Sequence, residues 1–422
     1  MKFAFITPRY GAEIGSGPEH ACRLLAERVV ERHDVDVLTT CAPDSRTWKN
    51  EYAEGSDKIR GVSVRRFAVK EQHDHEAFRR LTAQLRSEPH TRADEVEWVR
   101  LLGPSAPGLI EHLKRQHKHY DALVFFSLQH ATTVQGLAVA PERSVIFPYL
   151  LPRPSLRFGL WSDMIASSRG VGLFSAAERP LLHAFLPESG HEELVGVGIE
   201  PATQLTYPRH QQDPNDAVTP DDELPSEAET PVSDDYLSGR GVPFRRRHRL
   251  YGPLALYGGR LESDNGSEEL LEYFDGYSQA NPDATLVLMG VKMVSIPDSP
   301  QIRLAGVLPY RDRMFAYEAA DVTIAPSSDD LLAQPLLESL AVGTPALASA
   351  RNAAAVEHLR RAEAGLYYGS KDEFVDALTL LMTNTKLRER LGENGRQYAR
   401  LHLRWDAALG RFERLVGRVK RG

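Results

Sequence analysis

Two acidic residues flank a polar loop in the C-terminal half of the sequence. Asp330 lies in the turn P-S-S-D-D, which follows the apolar run 322–324. Glu338 comes eight residues later, in the first turn of a predicted short helix that has Pro335 at its first position and Gly343 just past its end. Because the first N–H groups of a helix have no partner within it, this strand, loop and helix predict an anion site beside two carboxylates. A plain βα unit with two solvated acids is the alternative.

A second candidate phosphate contact follows the apolar run 253–257. Gly259 lets backbone approach a ligand closely, and the guanidinium of Arg260 can hold two phosphate oxygens at once. Asn265 and Gly266 come next, before a helical pattern. They also fit an ordinary turn, so this loop is open to a structural interpretation as well.

The N-terminal strand pattern ends in a glycine-rich loop. Residues 2–7 are apolar and predict a buried strand, and Gly11, Gly15 and Gly17 precede a helical pattern that opens at Pro18. This βα turn can approach a phosphate, although its spacing is not G-x-G-x-x-G, and a plain turn fits equally well.

The elements that must position these residues alternate between strand and helix along most of the chain. This order predicts a doubly wound α/β protein, and 422 residues are enough for two or three domains. We expect an N-terminal domain over 1–201, an acidic and exposed linker over 202–250, a C-terminal domain over 251–400 and a terminal helix over 401–422. Ser175 and Glu178 have the spacing of a capping box within the first domain.

The predicted linker is strongly charged. Residues 211–235 contain nine acidic residues and no Lys or Arg, and the basic run Arg245–Arg249 follows. Such an acidic segment cannot bury enough apolar surface to offset the entropy of ordering. We expect the basic run to be solvated and to pair with the acidic segment; contact with phosphate or anionic lipid is the alternative.

Composition excludes several classes of protein. A formal charge of −7 gives no reason to expect a nucleic-acid partner, and two cysteines, Cys22 and Cys41, are too few for a disulfide framework. No apolar run approaches the roughly 18 to 20 residues of a spanning helix. We therefore expect a soluble cytoplasmic protein, with peripheral contact at the inner membrane face left open. Trp48 and Tyr52 lie in a loop after the second strand, where they either contact an acceptor or cover the loop's own core.

The order of these motifs resembles that of GT-B glycosyltransferases, family 4 in particular (glycosyl transferases group 1). The signature P-S-x-x-E-x7-E followed by A-x-G-x-P matches residues 326–345, with Asp330 at the first acidic position. R-Y-G-x-E matches 9–13, the long T-C-A motif matches 40–52, and Y-x-G-R matches 257–260. The resemblance implies an α/β GT-B fold, in which two Rossmann-like domains face each other across a cleft.

The resemblance also implies roles for individual residues. Asp330 and His130 would contact the donor sugar, and Glu338 would bind the ribose of the nucleotide. For His130 the alternative is a residue at a helix N-terminus that is bonded to backbone. The diphosphate and base would be bound by the remaining candidates, which are Gly15, Gly17, Gly259, Arg260, Leu308 and the amides of Leu331 and Leu332.

Three positions depart from the family pattern and indicate a partly degenerate site. Asp330 replaces a Glu, Asn265 replaces a Lys, and residues 151–153 are Leu-Pro-Arg where relatives have His-Asp-Glu. The expected activity is that of a retaining, metal-independent, hexosyltransferase-like enzyme without a cofactor, which moves a sugar from a nucleotide-diphosphate donor to a glycan, lipid or small-molecule acceptor. The competing hypothesis is a catalytically weakened or inactive GT-B protein that binds a nucleotide or sugar or acts as a scaffold. A sugar-nucleotide epimerase is disfavoured by the order of the motifs.

Overall fold

The computed structural model describes residues 1–15, 17–71, 73–186, 192–200, 241–262 and 265–419. The acidic segment 211–235 lies outside the described residues. The chain divides into two compact units: unit 1 comprises Met1–Gly198, Asp329–Leu332 and Trp405–Gly422, and unit 2 comprises Ile199–Ser328 and Ala333–Arg404. No helix within the described ranges is both long and apolar enough to cross a membrane.

Strands and helices alternate through most of both units. The strands are β1 (Lys2–Ile6), β2 (Asp34–Thr40), β3 (Gly55–Ile59), β4 (Val62–Phe67), β5 (Ala122–Phe126), β6 (Ser144–Phe147), β7 (Gly170–Leu173), β8 (Glu192–Leu194), β9 (Leu254–Gly258), β10 (Thr285–Met289), β11 (Ile302–Gly306), β12 (Val322–Ala325), β13 (Ala346–Ser349) and β14 (Gly365–Tyr368). The helices are α1 (Gly17–Val29), α2 (His75–Ser87), α3 (Arg92–Leu102), α4 (Pro107–Gln116), α5 (Ala131–Leu137), α6 (Gly159–Ser167), α7 (Arg179–Phe185), α8 (Val242–Arg247), α9 (Ser267–Ala280), α10 (Tyr310–Ala319), α11 (Gln334–Val342), α12 (Ala353–Ala362), α13 (Lys371–Thr383), α14 (Thr385–His402) and α15 (Trp405–Val419).

Unit 1 is built on a sheet with the strand order β3-β4-β2-β1-β5-β6-β7-β8. Its neighbouring strands are parallel except for the hairpin of β3 and β4. The central strands β1, β5 and β6 are buried and apolar except for their first residues Lys2 and Ser144, as expected where helices cover both faces of a sheet. Helix α15 belongs to this unit, where buried Phe412 packs its ring 5.5 Å from that of Phe3.

Unit 2 has a fully parallel sheet within its described residues, in the order β11-β10-β9-β12-β13-β14. Helix α8 packs on this unit through Phe244 and Arg245, both of which are buried. The guanidinium of Arg245 donates to the carbonyls of Ala319 (2.8 Å) and Gly252 (2.8 Å) and to the carboxylate of Asp321 (3.1 Å). The expectation of a solvated basic run is therefore wrong at Arg245, because a half-buried carboxylate and two carbonyls satisfy its charge.

Both sheets have a point where the strand order reverses direction. In unit 1 this point lies between β1 and β5, and in unit 2 it lies between β9 and β12. Loops diverge at the carboxyl ends of such strands and leave a crevice, where α/β proteins bind their ligands. The predicted doubly wound architecture is confirmed, and each switch point indicates where to look for a site.

Candidate functional site

At the switch point of unit 2, the backbones of neighbouring loops approach one another closely. Gly259 and Gly290 have φ angles of +145° and +137°, and a Cβ on Gly290 would lie 1.8 Å from the carbonyl oxygen of Gly259. Gly266 has a φ of +79°, and a Cβ there would lie 2.6 Å from the carbonyl oxygen of Pro326. Only glycine fits these conformations and contacts, so the loops after β9 and β12 can lie directly against each other.

Arg260 lies in the loop after β9, and its side chain is partly exposed. Its Nε donates to the carboxylate of Glu262, so the predicted phosphate contact already has an acidic partner. The carbonyl of Arg260 accepts hydrogen bonds from the hydroxyl of Tyr257 (2.7 Å) and from the amide of Asn265. Asn265, which stands where the family has Lys, thus holds the shape of this loop.

Glu338 lies in α11 and is 2% exposed. Arg313 on α10 donates to both carboxylate oxygens, from Nε at 2.9 Å and from Nη2 at 2.8 Å, and Gln334 donates at 3.0 Å. Because α11 begins at Gln334, Pro335 is its second residue and Glu338 its fifth, so the predictions that Pro335 comes first and that Glu338 lies in the first turn are wrong. A carboxylate has about four acceptor positions, and the hydroxyl of Tyr317 is the fourth partner, so a further donor binds Glu338 only by replacing one of these groups.

Two tyrosines complete the surroundings of the Arg313–Glu338 pair. The guanidinium of Arg313 lies 5.1 Å from the ring centroid of Tyr310. Burial is the largest influence and lowers the pKa of Arg313, but Glu338 together with Tyr317 and Tyr310 outweighs it, so the net pKa of Arg313 is raised. Burial first, and the Glu338 charge second, raises the pKa of Tyr317, whose hydroxyl is hydrogen-bonded to Glu338. Arg313 therefore stays charged and Tyr317 stays protonated.

The predicted base-contacting segment follows β11. Gly306 has a φ of +73°, and Val307 after it is 71% exposed. Leu308 is half-buried and packs against the apolar cluster that contains Met314 and Tyr317. The chain is therefore accessible at Val307, while the side chain of Leu308 is partly packed into the core.

The segment Asp329–Leu332 belongs to unit 1. The amide of Leu332 donates to Asp330 Oδ1 at 3.1 Å, and the amide of Leu331 is hydrogen-bonded to the phenol of Tyr149. Arg153 forms an ion pair of 2.9 Å with Asp329. Both amides that were predicted to bind diphosphate thus have acceptors within the protein, and Asp330 caps its own turn.

The switch point of unit 1 contains the N-terminal glycine loop. Gly15 is exposed, and among the described residues no atom lies within 4 Å of where a Cβ would be. Gly17 begins α1 with a φ of +73°. Arg9 Nε donates to the buried carboxylate of Glu19 in the first turn of α1 at 2.9 Å. The partial positive charge at the start of α1 is therefore already compensated by the carboxylate of Glu19, whereas the backbone at Gly15 is accessible.

His130 lies beside this loop, at the N-cap position of α5. Its Nδ1 is 2.7 Å from the hydroxyl of Ser127, a residue with a φ of +76°. Burial lowers the pKa of His130 to about 4, so its imidazole is neutral near pH 7. The alternative is right about the helix N-terminus, but Nδ1 is paired with the hydroxyl of Ser127 and not with backbone.

Trp48 packs its indole edge-on to His130, with ring centroids 5.7 Å apart. It is 2% exposed, packs with Ala42 and Val69, and donates from Nε1 to the carbonyl of Leu102 at 2.7 Å. Of the two interpretations of Trp48, the structure supports the one in which it covers the core of its own loop.

Sequence reasoning missed Arg313 and Gln334, which complete the surroundings of Glu338. Gln334 is four residues before Glu338, a helical spacing that could have indicated the pair. Arg313 is 25 residues away on another helix, and no local pattern connects the two residues. The capping box of Ser175 and Glu178 is confirmed.

Two doubly wound parallel sheets with loops gathered at each switch point define a protein of the GT-B fold, and solved structures agree. HepE from Anabaena, in complex with UDP, is 12% identical with a TM-score of 0.66, covering 99% of this chain and 100% of that one. Sucrose-phosphate synthase from Thermosynechococcus elongatus is 15% identical with a TM-score of 0.65, covering 99% and 98%. The glycosyltransferase WaaG is 14% identical with a TM-score of 0.61, covering 98% and 100%. The predicted fold class is confirmed.

Sequence comparison is informative for part of the chain. Residues 243–398 match the family model of glycosyl transferases group 1. A D-inositol 3-phosphate glycosyltransferase from Thermomonospora curvata is 37% identical over 102 residues, which span 23% of this chain and 22% of that protein. The matched range of this chain includes both Arg260 and Glu338.

Proposed function

We propose that this protein is a retaining, metal-independent glycosyltransferase that moves a sugar from a nucleotide-diphosphate donor to an acceptor hydroxyl. The observation that carries the proposal is the match of residues 243–398 to the group 1 glycosyl transferase model. Within that range the switch point of unit 2 provides a loop with a guanidinium, Arg260, and a buried carboxylate, Glu338. These are the two chemical groups that a nucleotide diphosphate requires, one for phosphate and one for ribose hydroxyls.

Uridine diphosphate is the first nucleotide to test. HepE, which has the same fold, has been solved with UDP, with UDP and glucose and with UDP-glucose. In our proposal the base lies near Leu308 and the ribose hydroxyls bind Glu338. Arg260 exchanges Glu262 for the diphosphate, because a doubly charged diphosphate attracts the guanidinium more strongly than one carboxylate does.

The proposed transfer requires neither a metal nor a cofactor. The acceptor oxygen attacks the anomeric carbon on the face from which the diphosphate leaves, the bond from that carbon to the phosphate oxygen breaks, and the acceptor proton passes to a phosphate oxygen. Arg260 stabilises the negative charge that develops on the leaving group. Neutral His130 can hydrogen-bond a sugar hydroxyl, and Asp330 can orient the donor sugar.

A second candidate function is a binding module with weak or no turnover. The pairing of Arg260 with Glu262 favours it, as does Asn265 at the position of the family's Lys. With one cation lost and the other paired, less positive charge remains to stabilise a leaving diphosphate. Nucleotide binding could persist through Glu338 while transfer became slow.

Calorimetry followed by a turnover assay separates these functions. We expect UDP, GDP or ADP to bind with micromolar to millimolar affinity, and the matching sugar nucleotide to be hydrolysed slowly when no acceptor is present. No heat with any of the three nucleotides at millimolar concentration would exclude both functions. Binding without hydrolysis, and without transfer to a panel of sugar and lipid acceptors, would leave only the binding module.

A further inference from the structure

Glu178 is a fully buried carboxylate with no role in the function proposed above. It is 0% exposed and lies at the carboxyl edge of the unit 1 sheet, just after β7. Its Oε1 accepts from the amides of Phe174 (2.8 Å) and Ser175 (3.1 Å), and its Oε2 accepts from the amide of Leu150 (2.8 Å). A capping box needs only the bond to Ser175, so the bond to Leu150 is an additional link to a different loop.

That additional link connects the loop after β7 to the loop after β6. Leu150 is buried, and it follows Tyr149, whose φ of +56° is uncommon for a residue other than glycine. A non-glycine residue holds such a conformation only where its surroundings enforce it. The bond from the amide of Leu150 to Glu178 fixes the peptide directly after Tyr149 and supplies that constraint.

Tyr149 in turn reaches the candidate donor-sugar residue. Its phenol is hydrogen-bonded to the amide of Leu331, next to Asp330. Burial raises the pKa of Tyr149, and the nearby charges of Asp330, Glu178 and Glu19 raise it further, so the phenol keeps its proton. The described residues of unit 1 thus contain a continuous series of contacts from Glu178 through Leu150 and Tyr149 to Leu331.

We infer that Glu178 is a positioning residue, which holds the loop after β6 so that the phenol of Tyr149 fixes the turn containing Asp330. The inference rests on the proposed function only for the role of Asp330. The contacts themselves are independent of any reaction. Three amide bonds favour a charged carboxylate, whereas burial raises the pKa of Glu178 to about 7. Both effects act on the same carboxyl, and the effect of burial is the larger.

Hydrogen exchange of the full-length protein tests the series of contacts directly. We expect Glu178→Gln to lower protection about tenfold in the peptides that span residues 147–153 and 329–333. Tyr149→Phe, which lacks the phenol oxygen, should lower protection in 329–333 alone. Ser175→Ala is the matched control, because it removes the side-chain bonds to the amides of Ala177 and Glu178 in the same turn but leaves the backbone amides that bind the Glu178 carboxylate. Ser175→Ala should change neither peptide.

Two outcomes would overturn the inference. One is unchanged protection of 329–333 in Tyr149→Phe, and the other is a loss confined to 147–153 in Glu178→Gln. If Glu178→Gln does not fold, the wild-type protein provides the test. Its protection in 147–153, corrected for intrinsic exchange, should fall as the pH rises from 4.5 to about 7, because an opened loop exposes Glu178 and binds its proton less tightly than the closed loop does, and a flat profile would contradict the role of Glu178.

Turnover separates this inference from the proposed function. A positioning role predicts that Glu178→Gln and Tyr149→Phe lower kcat for donor hydrolysis about tenfold and leave the KM for the donor unchanged. An equal effect on KM, or unchanged kcat in both variants, would contradict the link to Asp330. If the wild-type protein binds and hydrolyses no donor, the proposed function fails, and the exchange experiment still decides the series of contacts.

Discussion

Arg313 and Glu338, on neighbouring helices of unit 2, form a two-bond ion pair with distances of 2.9 and 2.8 Å. The carboxylate is 2% exposed, whereas the guanidinium side chain is 31% exposed. A bidentate arrangement fixes the plane of the carboxylate as well as its position. Arg313 therefore fixes the orientation of the Glu338 carboxylate, which we propose binds ribose.

Removing the charge of Glu338 should weaken both folding and nucleotide binding. Glu338→Gln leaves Arg313 with a poorer acceptor, and we expect a loss of about 1 to 3 kcal/mol in the free energy of unfolding, reduced by the exposure of Arg313. UDP affinity should fall at least tenfold. Urea unfolding and calorimetry measure the two effects. Glu393→Gln, in an exposed pair with Arg396 at 3.3 Å, is the control and should change stability by less than about 0.5 kcal/mol. Unchanged UDP affinity in Glu338→Gln would argue against the ribose role.

The pair of Arg260 and Glu262 predicts opposite effects for two substitutions. Arg260→Ala should weaken UDP binding at least tenfold and leave uridine binding nearly unchanged, because the guanidinium contacts only phosphate in our proposal. Glu262→Gln should strengthen UDP binding severalfold, since it removes the carboxylate that competes for Arg260. Calorimetry with both ligands measures these changes. An equal loss of UDP and uridine affinity in Arg260→Ala would contradict the phosphate role.

Two glycines of unit 2 should respond differently to alanine. Gly290→Ala places a Cβ 1.8 Å from the Gly259 carbonyl oxygen, and we expect more than about 3 kcal/mol of destabilisation or a failure to fold. In Gly306→Ala the added Cβ has no described atom within 4 Å, so we expect a destabilisation of only about 1 to 2 kcal/mol, from the φ of +73°. Chemical denaturation compares them. Similar losses at the two positions would show that conformation, and not close approach, decides the cost at Gly290.

Glu178 should make stability depend on pH in a defined range. Its pKa is raised from 4.5 to about 7 by burial, so the folded protein binds this proton more tightly than the unfolded chain does. Its contribution is complete below pH 4.5 and is lost as the pH rises to about 7, a decrease of about 3 kcal/mol in the free energy of unfolding. The difference between wild type and Glu178→Gln, measured by urea unfolding from pH 4.5 to 8, isolates this residue. A difference that does not vary with pH would contradict the raised pKa.

The contributions of sequence and structure differ most clearly at the two acids of the 326–345 signature. The strand, the loop and the short helix were predictable, because apolar runs, a proline near the helix start and a glycine after its end act over a few residues. The burial and the hydrogen-bond partners of the two acids were not predictable from the sequence. Glu338 is buried against Arg313, and Asp330 accepts the amide of Leu332. Both partners depend on how the chain turns and packs around the two acids.

The basic segment before β9 shows the same difference. Its composition indicated a solvated run, because five neighbouring basic or imidazole side chains are usually hydrated. In the structure Arg245 reaches Asp321, which is 76 residues later in the chain. The sequence contains no local sign of this pairing. Only the packing of α8 against the end of α10 brings the guanidinium to the carboxylate and the two carbonyls that satisfy it.

The sequence by itself determined the alternation of strands and helices, the doubly wound class, the capping box at Ser175 and the glycines at sharp turns. These features depend on short windows, where periodicity and backbone conformational preference act directly. Tertiary structure decided which charged groups meet: Arg313 with Glu338, Arg245 with Asp321, and Glu178 with the amide of Leu150. Each contact joins groups that are 25 to 76 residues apart, and only sheet order and helix packing bring such groups within hydrogen-bonding distance.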